Sequence, residues 1–304
     1  MRGMQTIETH SAPNRAQVLA SFRAKAPAFV DVGHSRLAYR KFGHGPDVVF
    51  VHGWPLHSAT FRDLVPLLAD RYTCHLLDLP GTGQSVWDRQ TPIDLVAHAA
   101  TIRRATERLG LGRHALVAHD SGGLIARTVA ADDPRVVGLV LGNTEIPGHT
   151  PWLVTLFVLA TRLPGGKDLL RNLLRSPTLR RSPLGFGGCF SDLARIEGEF
   201  HELFVAPILE SDAASAGQMR LLQTISHDAV ARLAEVHARI TAPVRLVWGA
   251  DDPFFPLALA RPMLAQFGGA ADLVVVPDSK LFVHEERPTD FARECRTLLD
   301  DVLR

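Results

Sequence analysis

Between residues 28 and 145 short apolar runs alternate with longer stretches whose apolar residues recur every third or fourth position. Phe29 to Val32 and Leu37 to Phe42, separated by Gly33-His34-Ser35, read as a β-hairpin, and Val48 to Val51 as a short buried strand. Phe61 to Leu68 then reads as helix, Thr73 to Leu79 as strand, Ile93 to Leu109 as helix, His114 to His119 as strand, Ser121 to Ala131 as helix and Val136 to Leu141 as strand. Such alternation implies right-handed crossovers and a mainly parallel sheet. From Ile146 to His227 the pattern turns helical, over Trp152 to Arg162, Lys167 to Leu174, Glu197 to Leu209 and Ala213 to Thr224. Pro151, Pro164, Pro177 and Gly185-Phe186-Gly187-Gly188 break it into short pieces. The alternation resumes with Val244 to Trp248, Leu257 to Phe267, Leu273 to Val276 and Pro288 to Leu303, while residues 11 to 27 give only a weak amphipathic helix. The expected division is an N-terminal appendage over 1–28, an α/β core over 29–145 and 228–304, and an inserted helical cap over 146–227. No internal repeat interrupts it.

Composition changes this picture little. A chain of 304 residues, 46% hydrophobic, can bury a large core. Its net charge of +1 leaves no footprint for nucleic acid or an anionic membrane, so a small-molecule substrate is the default partner. Oligomeric state is not legible. Cys74, Cys189 and Cys295 are too widely spaced for a metal set and read as reduced thiols, and neither metal nor cofactor is expected. Met1 to His10 carries Arg2 and Glu8 with no apolar region following, which points away from a secretory leader and toward the cytoplasm. The most apolar run, Trp152 to Ala160, is about half a membrane span.

The chemistry gathers at Leu116-Val117-Ala118-His119-Asp120-Ser121-Gly122-Gly123, where an apolar strand meets a helix with a polar residue at the junction. A turn this tight requires small residues two before and two after the exposed side chain. Asp120 has Ala118 and Gly122 as those flanks, whereas Ser121 would have His119, so Asp120 is the better nucleophile. A second loop, His52-Gly53-Trp54-Pro55, leaves the strand Val48 to Val51 with a Gly for close approach and a Pro that fixes the turn, and can aim a backbone N–H.

These two loops, with Asp78-Leu79-Pro80-Gly81-Thr82-Gly83-Gln84-Ser85, Trp248-Gly249-Ala250-Asp251-Asp252-Pro253 and Phe282-Val283-His284-Glu285-Glu286-Arg287-Pro288, resemble the α/β-hydrolase superfamily over nearly the whole chain after residue 28. An Asp at the elbow is similar to the haloalkane dehalogenase, fluoroacetate dehalogenase and epoxide hydrolase branch. The resemblance implies a mostly parallel sheet flanked by helices with an inserted cap, and attack by ionised Asp120 on a saturated carbon to form an alkyl ester that water cleaves. Against an ordinary ester the same attack would give an anhydride. The backbone N–H groups of Ser121 and Trp54 would then form the oxyanion hole. For the third member, Asp252 matches the usual position, with Glu145 as the alternative acid.

The departures from the family are as informative. The catalytic His should lie seven residues before Pro288, where this chain has Leu281, and a leucine cannot activate water. His284, three residues on, is the candidate surrogate base; its plainer reading is a polar loop residue. The only tyrosines, Tyr39 and Tyr72, lie in the core portion, which argues against the cap tyrosines of epoxide hydrolases. Ser121 stands where haloalkane dehalogenases place a halide-binding Trp, so Trp54 and Trp152 are the substitutes, with plain packing the simpler reading of Trp152. His52, Trp152 and Leu281 complete the candidate substrate-contacting set. The rival function is a cofactor-free lyase, isomerase or cyclase using Asp120 as acid or base, or a ligand-binding protein without catalysis.

Overall fold

The eight apolar runs expected as strands pair into one eight-stranded sheet in the computed structural model, which describes residues 12–24, 27–224 and 227–304. The strands are β1 (Ala28–Asp31), β2 (Arg36–Phe42), β3 (Asp47–Val51), β4 (Thr73–Leu77), β5 (His114–Ala118), β6 (Val136–Gly142), β7 (Val244–Gly249) and β8 (Ala271–Val276). Their order is β1-β2-β4-β3-β5-β6-β7-β8, with β1 and β2 antiparallel at one edge and the remainder parallel. β5 is central and every residue in it is buried, which is why its sequence is a continuous apolar run with no alternation. The expectation of no secretory leader falls on residues 1–11, outside the described residues.

Helices α1 (Arg15–Arg23), α2 (Leu95–Arg108) and α3 (Ser121–Asp132) precede the helical stretch between β6 and β7, which begins with α4 (Trp152–Arg162) and α5 (Gly166–Arg175). α3 packs on β3, β5 and β6 with α2 beside it, and the C-terminal helix Pro288–Val302 packs on β5, β6 and β7. Some helical expectations are corrected. Phe61 to Leu68 is not one α-helix but two short 3-10 turns, Ser58–Phe61 and Val65–Leu67, because Pro66 has no N–H to continue a helical ladder. Glu197 to Leu209 is likewise divided, into a π-turn at His201–Val205 and a short helix Ala206–Glu210 with Pro207 in its first turn. The helices His227–Ala231 and Leu233–Arg239 were not expected.

One buried cation fastens α3 to its surroundings. Arg127 is fully buried; Nε donates to the Gly123 carbonyl at 3.0 Å, Nη1 to the Glu145 carbonyl at 3.0 Å and to His237 Nε2 at 2.9 Å, and Nη2 to Thr144 Oγ1 at 2.8 Å. Burial pulls its pKa down to about 10, with Glu145 opposing. The same burial, and the adjacent guanidinium, hold His237 neutral with its pKa at about 3. The hydrogen bonds make this site tolerable; deleting the cation would strand several acceptors and the Glu145 carboxyl. Arg127→Ala is therefore expected to lower unfolding stability by about 3–5 kcal/mol in urea titrations. A loss under about 1 kcal/mol would show that the site relaxes or fills with water at little cost.

Candidate active site

Asp120 sits at the junction of β5 and α3 with φ 49° and ψ −140°, a left-handed conformation that few residues other than glycine adopt. Conformations of this kind cost on the order of 1–3 kcal/mol and persist where the surroundings hold them. Here the Asp120 N–H donates to the Asn143 carbonyl at 2.7 Å, and its carbonyl accepts from Gly123 N–H at 2.7 Å and Thr144 Oγ1 at 2.8 Å. A Cβ at Gly122 would strike the carbonyl oxygens of Val51 and His52, and a Cβ at Gly53 would strike the Asp120 carboxyl itself. The turn thus closes because β3, the loop after it and α3 meet backbone to backbone.

The Asp120 carboxyl opens into a cavity of about 110 Å³ between the sheet and the helical stretch. Its walls include Trp54, Phe157, Leu170, Phe186, Leu281 and Phe282, and Asp120 is the only carboxylate among the described residues lining it. Burial pushes the Asp120 pKa well above the ordinary 3.8, and the nearby Glu145 pushes it further. The backbone N–H groups of Ser121 and Trp54 face the carboxyl and act in the opposite direction. The Trp54 N–H also reaches Ser121 Oγ at 2.9 Å, while its indole N–H donates to the Gln218 carbonyl at 3.0 Å. Cys189 lines the cavity too, but burial raises its thiol pKa well above 9, so it is no competing thiolate.

Leu281 lines this cavity. His284 does not line it. Its ring is fully buried, with Nε2 2.7 Å from Thr60 Oγ1 and its centroid 4.0 Å from that of His119. Thr60 also donates to Glu285 Oε1 at 2.8 Å, and Arg62 Nη1 closes the set on the same oxygen at 2.7 Å. Burial and the Arg62 charge hold His284 at a pKa of about 3, so it is neutral.

The two candidate acids are both buried and both engaged. Asp252 Oδ1 accepts from the N–H groups of Phe254 at 2.8 Å and Phe255 at 3.2 Å, and Oδ2 from Asn143 Nδ2 at 2.6 Å; burial nevertheless raises its pKa to about 7. Glu145 accepts from Thr144 Oγ1 at 2.8 Å and lies 3.6 Å from Arg127 Nη2. His52 is turned from the cavity: Nε2 accepts from Leu79 N–H at 3.1 Å and Nδ1 pairs with the Gly53 carbonyl at 3.1 Å, bracing the loop. Trp152 is 70% exposed and outside the cavity lining. Gln218 and Cys189 line the cavity without having been singled out by any pattern in the sequence. Among the described residues no three metal-ligating side chains come together.

Residues 46–288 match the alpha/beta hydrolase fold family. The chain is 30% identical over 268 residues to haloalkane dehalogenase 2 of Mycobacterium bovis, covering 86% of this chain and 91% of that one. A shorter stretch of 99 residues, 33% of the chain, is 42% identical to the pimeloyl-(acyl-carrier protein) methyl ester esterase of Xanthomonas campestris, covering 37% of it. Among solved structures, the ligand-free epoxide hydrolase CorEH superposes with a TM-score of 0.77 at 20% identity, over 91% of this chain and 99% of that one, a likeness of fold.

The raised carboxyl pKa values carry a stability consequence. A carboxyl whose folded pKa exceeds its unfolded value stabilises most below the unfolded pKa, and that contribution is lost as pH rises through the folded value. Asp120→Asn keeps an acceptor for the two N–H groups and removes the buried charge. At about pH 8 it should be more stable than wild type by on the order of 1–2 kcal/mol, with the gap shrinking toward about pH 5. Urea midpoints at the two pH values measure this. A gap that widens on acidification would mean the carboxylate is stabilised in its charged form.

Proposed function

The chain belongs to the alpha/beta hydrolase fold family, and from that premise we propose that it is an enzyme of the dehalogenase and epoxide hydrolase type. In this reading Asp120 is the nucleophile, and the substrate is a small or medium, uncharged and largely apolar molecule. The observation that carries the reading is the Asp120 carboxyl, held in a strained turn, the one carboxylate among the described residues that line an apolar cavity, and faced by two backbone N–H groups. We take the helical stretch over 146–227 as the cap of this cavity, 29–145 and 228–304 as its core and 1–28 as an appendage.

In the first step an Asp120 oxygen bonds to the substrate carbon and the carbon–halogen or carbon–oxygen bond breaks, its electron pair leaving with the halide or alkoxide. The apolar walls exclude water that would otherwise solvate and blunt the carboxylate. In the second step water adds to the Asp120 carbonyl carbon, and the N–H groups of Ser121 and Trp54 hold the resulting oxyanion. Its collapse breaks the acyl C–O bond, so that the product leaves as an alcohol with one proton of that water, the other passes to solvent or to the alkoxide of an opened epoxide, and the Asp120 carboxylate is restored. That water meets Leu281 where the family has an imidazole, so the step lacks a general base worth about 10²–10⁴ in rate. Neither acid supplies a substitute: Asp252 is taken up by Asn143 and two backbone N–H groups, and Glu145 by Thr144 and Arg127. We assign His284 to bracing the segment below the elbow and not to the water step.

A second reading rests on the desolvated state of the same group. A carboxyl whose pKa is raised by burial keeps its proton to higher pH than an ordinary carboxyl and can donate it, which suits a lyase, isomerase or cyclase that forms no ester. Incubation in oxygen-18 water with substrate present separates the two, since label enters the Asp120 carboxyl only if an ester forms and is hydrolysed.

With a reactive alkyl halide or epoxide, wild type should gain a mass adduct on Asp120 that turns over slowly. Asp120→Ala should form none, and Ser121→Ala should keep most of the alkylation. Leu281→His should speed loss of the adduct by about 10²-fold or more, while His284→Ala leaves that rate within a few-fold of wild type. Accumulation of adduct in His284→Ala alone would instead make His284 the base.

The pH profile gives an independent check. Nucleophilic attack needs the ionised carboxyl, so alkylation should accelerate as pH rises beyond the ordinary carboxylate range. Turnover of any substrate that falls over the same interval would favour the proton-donor reading.

A further inference from the structure

Helix α4 is apolar on both of its faces. Leu153, Val154 and Phe157 face the cavity, whereas Trp152, Leu156 and Leu159, continued by Leu163 at the helix end, follow spacings of four, three and four residues on the other side. They are 70%, 46%, 51% and 65% exposed, and Leu169 on the neighbouring α5 is 63% exposed. Single exposed apolar residues need no explanation, but an aligned row of them at a helix surface marks an interaction site.

The charges beside the row say what kind. The stretch 152–175 carries Arg162, Lys167, Arg171 and Arg175 against Asp168 alone. Arg171 is mostly buried and taken up by Asp212 at 2.8 Å and the Leu209 carbonyl at 2.7 Å, which leaves Arg162, Lys167 and Arg175 against Asp168 as the exposed charges of the stretch, a net of two positive. The nearly even balance of the whole chain conceals this local excess. A second copy meeting this face about a two-fold axis would set like charges against each other. An anionic lipid surface complements both features, taking the leucines and the indole into its interfacial layer and the cations among its headgroups.

We propose that the outward face of α4, with the start of α5, docks the protein onto anionic phospholipid surfaces. The location gives the contact a use, because Pro151, adjoining Trp152, and the half-exposed Leu184 both line the cavity. An apolar ligand dissolved in a bilayer could then enter without crossing bulk water. The inference is independent of what Asp120 does to the ligand.

Co-flotation of the full-length protein tests it, using vesicles of phosphatidylcholine alone and vesicles of equal parts phosphatidylcholine and phosphatidylglycerol. Wild type should float with the anionic vesicles at low salt. Binding should fall by about tenfold or more on phosphatidylcholine alone, at about 0.5 M NaCl, and in Trp152→Ser/Leu156→Ser/Leu159→Ser. Arg162→Glu/Lys167→Glu, which leaves every apolar residue in place, should lose a similar fraction, and thermal melts check that both variants fold. Wild type remaining unbound with both vesicle types, or the serine variant floating as well as wild type, would overturn the proposal. So would a wild-type dimer in light scattering that the serine variant converts to monomer, which would make the face a contact between copies.

Discussion

The arrangement depends on one steric constraint: α3 begins immediately after the residue that ends the β5 turn, so its first turn must press against the end of β3 with no side chain between. Gly122 meets that requirement against the Val51 and His52 carbonyls, and Gly53 meets it from the other side against the Asp120 carboxyl. The strained backbone at Asp120 is then held in place by Asn143 and Thr144, residues that follow β6. The Asp120 carboxyl, the two N–H groups facing it and the cavity floor are therefore placed by contacts among three parallel strands, not by a flexible loop.

That placement sets an electrostatic conflict. A nucleophilic carboxylate gains reactivity by losing water, yet the same loss favours its neutral form, and Glu145 nearby adds repulsion. Two backbone dipoles oppose these effects without adding a bulky cation to the cavity. The fully buried guanidinium of Arg127 offsets part of the Glu145 charge from behind, so this arginine supports both the fold of α3 and the electrostatics around the elbow.

Much of this was legible in the chain. The eight strands were readable because each is a short apolar run bounded by turn formers, and the place of Asp120 at the turn between β5 and α3 because it has Ala118 and Gly122 as small flanks. The side-chain surroundings were less so. Trp152 was a candidate for the cavity, but a helix apolar all round has no amphipathic stripe to say which face turns inward. His284 lies in a short helix, Val283–Glu286, whose rotation is fixed by Thr60 and His119, residues remote in sequence. Pro66 and Pro207 were visible signals that the helices around them would be short. Gln218 and Cys189 reach the cavity only through the path of the helical stretch, which no local pattern encodes.

Trp54 joins two parts of the molecule through its two N–H groups. The backbone donor serves the elbow, and the indole donor is spent on the Gln218 carbonyl, in the helix Asp212–Thr224. The backbone N–H that faces Asp120 and the roof of the cavity are thus mechanically linked: lifting that helix would tug on the indole and drag the loop that aims this N–H. A molecule too large to let the roof settle would be penalised at the reacting carbonyl, several bonds from where it fails to fit. On the mechanism proposed above, size discrimination is then read out in the rate of the second step as well as in binding.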